Sequence, residues 1–130
     1  MTEPSAAHDL IARQIVDSAF AVHCELGPGL LETAYEQCLA YELGARGIEF
    51  RRQVSIPVTY RNAQIEGGFR MDMLVGSLVI VEVKSVERTL PIHEAQLLTY
   101  LKLSRLQLGF LINFNVLRIK DGIRRFARTL

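Results

Sequence analysis

The chain has 130 residues, 49% of them hydrophobic and 22% charged, with a formal net charge of +1, which describes one globular domain able to bury a core of its own. No apolar run approaches the roughly 18 residues of a membrane span, and the polar lead Met1–Ala7 lacks a basic segment followed by a hydrophobic one, so a cytoplasmic protein with no membrane partner is expected. A charge so near zero gives no overall electrostatic footprint of a nucleic-acid binder.

After a lead expected to be disordered over residues 1–7, Ile11, Ile15, Ala19, Val22 and Leu26 recur at helical spacing and predict an amphipathic helix from His8 to about Leu26. Gly27-Pro28-Gly29 ends it. A second helix is predicted from Leu30 to Arg46, with Leu31, Tyr35, Cys38 and Leu39 facing inward and Gly47 just past its end. Glu32 falls in its first turn, where a carboxylate complements the helix dipole. Cys24 and Cys38 are the only cysteines and lie on these helices, which favours reduced, buried thiols over a disulfide.

Phe50–Tyr60 then reads as a strand edged by Pro57, Arg61-Asn62-Ala63 as its turn, and Gln64–Val75 as a second strand with a bend or bulge at Gly67-Gly68. Leu78–Ser85 is a third strand. A helix follows Pro91 and runs to about Ser104, and Gln107–Phe114 is a near-continuous apolar run suited to a buried strand, parallel to the third through a right-handed crossover. Asp121-Gly122, between 117–120 and 123–126, predicts a two-residue C-terminal β-hairpin. The order gives an α/β domain, a mixed sheet flanked by helices, with one domain over residues 1–130.

The second and third strands carry charges where buried strands should have none. Glu82 and Lys84, two residues apart, share a face. A two-residue loop at Gly76-Ser77 would put Asp72 on the opposite face from Glu82; a three-residue loop or a bulge pairs Val75 with Val79 and sets Asp72 opposite Glu82. The second register also sorts the chemistry, leaving Phe69, Met71, Met73, Val75, Val79, Val81 and Val83 on one face and Arg70, Asp72, Glu82 and Lys84 on the other. That register is the one expected.

Two carboxylates converging from adjacent strands suit a hard divalent cation, Mg²⁺ or Mn²⁺, which relieves their mutual repulsion. The Val83 carbonyl is a further candidate ligand, and Lys84 can orient a water or neutralise charge on a phosphate. An ion-pair cluster at the sheet edge would use the same residues. On the next helix His93, Gln96 and Tyr100 lie at i, i+3 and i+7 and share a face, with Leu98 and Leu101 leaning elsewhere; Gln96 can hold a water or ligand, Tyr100 a phosphate, and His93 either, or it can cap the helix. Arg118, Lys120, Arg124, Arg125 and Arg128 crowd the C-terminal end, as a solvated edge or as a phosphate-contacting patch.

Asp72, then Glu82-Val83-Lys84, then Gln96-Leu97-Leu98-Thr99-Tyr100 resembles the D…ExK…QxxxY succession of PD-(D/E)XK nucleases, their RecB-like branch in particular, with Met71 where the motif's proline would stand. Gly29-Leu30-Leu31-Glu32-Thr33-Ala34-Tyr35 is similar to the signature of the small bacterial GxxExxY family of that superfamily, as are His23, Gln53, Pro57 and the segment Pro91–Gln96. The resemblance spans nearly the whole chain and implies a restriction-endonuclease-like αβββαβ core and metal-dependent phosphodiester hydrolysis by an activated water. It implies Asp72 and Glu82 as metal ligands, Lys84 as the catalytic lysine, Glu32 as an acid reaching the metal directly or through water, and Gln96 and Tyr100 as supporting residues. The expected partner is nucleic acid, DNA ahead of RNA, with a second copy of the chain or a larger DNA-processing partner beside it. Two other functions use the same residues: a non-catalytic nucleic-acid-binding or protein-interaction module, and a structural subunit with a surface ion-pair cluster.

Overall fold

A computed structural model describes residues 3–129. Its elements are α1 (Ala6–Leu26), α2 (Glu32–Ala45), β1 (Phe50–Tyr60), β2 (Ala63–Val75), β3 (Val79–Lys84), α3 (Pro91–Ser104), β4 (Leu108–Asn113), a 3₁₀ turn (Ile119–Asp121) and β5 (Ile123–Ala127). α1 begins inside the lead expected to be disordered, because His8 Nδ1 accepts the Ser5 backbone N–H at 3.0 Å and closes the first turn; Met1 and Thr2 lie outside the described residues. At the other end Gly27 (φ 66°) donates its N–H to the His23 carbonyl at 2.8 Å, a left-handed exit that glycine makes without strain.

The five strands lie in the order β1-β2-β3-β4-β5. β3 and β4 run parallel, joined through α3, and the other neighbours are antiparallel. This is the expected mixed sheet of an αβββαβ domain. Helices cover both of its faces. On one, Ile15 and Ala19 of α1 and Tyr35, Leu39 and Leu43 of α2 pack on Val79, Val81 and Val83; on the other, Leu97 and Leu101 of α3 pack on Met71, Ile80 and Leu111. Each large side chain so buried contributes about 1.5–3 kcal/mol, so both layers hold the central strands in place.

Three local expectations are corrected. Leu31 is 77% exposed, since α2 starts one residue after it. Cys24 is exposed, and both cysteines are free. Residues 117–120 form no strand: β5 pairs with β4 instead, Ile112 opposite Ile123, and Asp121-Gly122 closes the 3₁₀ turn. Tertiary packing overrides the local hairpin signal there, because Ile119 is buried in the α1 side of the core and a Cβ on Gly122 would lie 2.0 Å from the Asn113 carbonyl oxygen. The bulge at Gly67-Gly68 is present, opposite Pro57, where the register shifts between Ile56 and Val58.

Candidate active site

The β2–β3 register has Val75 opposite Val79, Leu74 opposite Ile80 and Met73 opposite Val81, as the sorting of charges predicts. One step further the two strands are joined by side chains. The Asp72 backbone N–H donates to Glu82 Oε2 at 2.8 Å, and the Val83 backbone N–H donates to Asp72 Oδ2 at 2.9 Å. Two carboxylates thus form a rung of the sheet.

Strand alternation breaks at this point. Met73 and Val75 face α1 and α2, whereas Phe69 and Met71 face α3, so the single apolar face expected from Phe69 to Val83 is corrected. β1 makes the matching change, with Phe50 packed on the α1–α2 side and Val54 and Ile56 on the α3 side. Its half-turn falls at Gln53, which has φ 51° and lies between the pairs Arg52–Met73 and Val54–Met71, opposite Asp72.

Burial raises both carboxyls. Glu82 is only 4% exposed; loss of hydration, then the charge of Asp72, pushes it up to about 8, so it holds a proton at neutral pH. Asp72 is raised too, chiefly by burial, with its hydrogen bond from Val83 and the nearby Lys84 ammonium acting against the rise. Glu36, a turn beyond Glu32 on α2, adds a third negative charge that pushes both upward. It is 6% exposed and held at both oxygens, by Arg52 Nε at 2.9 Å and Gln53 Nε2 at 2.9 Å. The Gln53 amide lies close enough to the Asp72 carboxyl to act weakly against its rise. Sequence reasoning missed Glu36. Its signal was the four-residue spacing from Glu32, which places both on one helix face.

Glu32 itself stands at the end of β3, where its Oε2 accepts the Ser85 N–H at 3.3 Å. Ser85 Oγ donates to the Leu30 carbonyl, so the α1–α2 connection is stitched to the residue after Lys84. Tyr35 fixes that connection from beneath: its hydroxyl donates to the Gly27 carbonyl and accepts the Leu30 N–H at 3.2 Å, and its ring stacks on Phe114 with centroids 4.6 Å apart. Among the described residues no three His, Cys, Asp or Glu side chains are grouped to hold a metal ion, so Glu32, Asp72 and Glu82 do not converge directly. Tyr35→Phe is expected to lower stability by about 1–2 kcal/mol, because it strands two part-buried backbone groups; a urea unfolding midpoint checks this.

From α3, Tyr100 stacks on Phe69 at 4.7 Å. Its hydroxyl is raised first by burial and then by the charges on Glu82 and Asp72, so it keeps its proton. Gln96, one turn earlier, is exposed. His93 is a cap: its Nδ1 accepts the Leu90 N–H at 3.0 Å. The basic residues near the C-terminus do not form one patch. Arg124 pairs with Glu94 of α3 at 2.9 Å and Arg125 with Asp9 of α1 at 3.7 Å, on opposite faces of the sheet, while Arg118 precedes the 3₁₀ turn and Lys120 lies within it. Period-two alternation alone parts neighbours on β5.

A sequence model of the PD-(D/E)XK nuclease superfamily matches residues 9–126. The solved crystal structure of SSO0001 is similar at a TM-score of 0.48 and 16% identity, over 98% of this chain and 80% of that one. The comparison with curated proteins gives no match. No described helix is long and apolar enough to cross a membrane.

Proposed function

The chain belongs to the PD-(D/E)XK nuclease superfamily, and on that premise we propose that it hydrolyses nucleic-acid phosphodiester bonds, DNA ahead of RNA, in the manner of the GxxExxY branch. The observation that carries this reading is the part-buried Asp72–Glu82 rung at the end of the β2–β3 ladder, with Lys84 two residues beyond Glu82 on β3.

The donor set fits a divalent cation. Two carboxylates crowd each other in a site that disfavours charge, and Glu82 keeps its proton to about pH 8; a cation that displaces this proton removes the repulsion. Asp72, Glu82 and the Val83 carbonyl are all oxygen donors and too few to fill a coordination shell. That suits Mg²⁺ or Mn²⁺, which keeps waters and takes a substrate phosphate oxygen. When bound, such a cation supplies Lewis-acid polarisation of the phosphoryl group and lowers the pKa of water.

The protein's own groups do the rest. Lys84 places an ammonium where negative charge grows on the phosphate in the transition state, and it can hold the attacking water in line. Tyr100 keeps its hydroxyl proton and offers it to a phosphate oxygen. Gln96, exposed on the same helix, contacts the substrate strand, and Glu32 at the end of β3 orients solvent beside Lys84. A binding module built on the C-terminal basic residues is the weaker reading, since Arg124 and Arg125 are paired on opposite faces.

The test is cleavage of single- and double-stranded DNA and RNA in Mg²⁺ or Mn²⁺, with a chelator control. Lys84→Ala should reduce the rate by roughly 10²–10³-fold, the cost of removing one transition-state charge donor. Equal cleavage by the wild type and the variant would point to a contaminant and overturn the proposal.

A further inference from the structure

We propose that Glu36, Gln53 and Arg52 form a positioning unit for Asp72, which sets the aim of its carboxylate and adds a fixed negative charge that strengthens cation uptake by the Asp72–Glu82 pair. The inference rests on the nuclease reading and goes beyond it, since none of these residues belongs to the D…ExK…QxxxY succession.

Gln53 is the centre of the unit. Its amide nitrogen donates to Glu36 Oε1 at 2.9 Å, and its backbone lies opposite Asp72, between the pairs Arg52–Met73 and Val54–Met71. A carboxylate only accepts and a primary amide carries two N–H groups, so an amide bound to Glu36 and placed opposite Asp72 keeps a second N–H to offer the second acid. The arrangement bridges α2 to β2 through β1. Arg52, one residue earlier, takes the other oxygen of Glu36 at 2.9 Å, so Glu36 cannot rotate away without breaking two charge-assisted contacts.

The backbone supplies an independent observation. Gln53 adopts φ 51°, a left-handed conformation that glycine takes freely and that costs a residue bearing a Cβ. Its side chain is exposed and outside both core clusters, so packing gives no reason for glutamine there. The bond to Glu36 and the place opposite Asp72 do. Strain of this kind persists where the surrounding structure uses it, and here it turns β1 from one face of the sheet to the other opposite Asp72.

The charge of Glu36 acts in the same direction. It is buried, paired on one side by a guanidinium that is itself 35% exposed, and its field reaches both Asp72 and Glu82. A third carboxylate near a cation site raises the affinity for that cation even when it is not a ligand.

Gln53→Gly separates positioning from structure. Glycine accepts the left-handed backbone, so the melting temperature should be unchanged or higher, whereas Mn²⁺ affinity by calorimetry should fall about tenfold, as when the outer partner of a metal ligand is lost. Glu36→Gln keeps the shape and an acceptor for Gln53 while removing the charge, and should weaken Mn²⁺ by a similar factor. Wild type that binds Mn²⁺ while both variants bind it equally well overturns this inference and leaves the nuclease reading standing. Wild type that takes up no Mn²⁺ overturns both.

Discussion

Asp72→Asn should abolish cleavage, by a factor on the order of 10³, while keeping stability within about 1 kcal/mol of wild type. Asparagine has the shape of aspartate, and its carbonyl oxygen can still accept the Val83 N–H that Asp72 Oδ2 accepts at 2.9 Å. The rung between β2 and β3 therefore survives. What is lost is the negative charge, and with it half of the pair that would hold a cation. Removing that charge also relieves Glu82, whose carboxyl Asp72 helps to push up to about 8, so the variant should gain stability relative to wild type as the pH rises toward 8. Single-turnover cleavage beside thermal unfolding at two pH values reads both effects. Retained cleavage would place the chemistry elsewhere, and a fully unfolded variant would make the carboxylate a structural part first.

The second large effect is on pH. In a chelator, the folded chain should lose stability between about pH 5 and pH 8, by roughly 4 kcal/mol. Glu82 is raised in the folded state, from its ordinary 4.5 to about 8, by burial and by Asp72. Below the unfolded value both states are protonated and the contribution is fully present. Above it the unfolded chain ionises freely while the folded chain holds its proton, so stability falls until the pH passes the folded value. Asp72, also raised, acts in the same sense. Added Mg²⁺ or Mn²⁺ should therefore stabilise the chain more at pH 8 than at pH 5, because at low pH it competes with a proton. Thermal unfolding at both values, with and without cation, tests this; a stability that rises with pH in chelator would mean that Glu82 ionises freely in the fold.

The centre of the fold was legible in the amino-acid sequence because charge and apolarity alternate along short strands. The register that brings Asp72 to Glu82 followed from that sorting, and the parallel β4 from an apolar run after a helix. The assumption behind the sorting failed at Met71 and Phe69. A change of face within a strand leaves no mark in a pattern read with period two, and the left-handed residue that permits it is Gln53, where glycine or asparagine would have given a signal. Glu36 was hidden for a different reason: Glu32 stood in a recognisable motif, and the acid one turn later had no motif of its own. The C-terminal turn misled because Asp121-Gly122 is a strong local hairpin signal, while the need for a glycine against the Asn113 carbonyl arises only in the folded chain. For Arg124 and Arg125, clustering along the chain concealed that adjacent strand residues serve opposite surfaces.

The carboxylate rung also constrains how this domain can diverge. Asp72 and Glu82 close the sheet where the backbone ladder stops, so a lineage that abandons the proposed cleavage cannot let both positions drift to arbitrary residues without opening the strand pair. Asparagine and glutamine preserve an acceptor at each end and silence the chemistry; small or apolar replacements leave two backbone N–H groups to be satisfied by some other change nearby. Non-cleaving descendants of such a chain should therefore carry amides at these two positions, or a rebuilt strand end, and their history would be written in the hydrogen bonds that the lost acids once accepted.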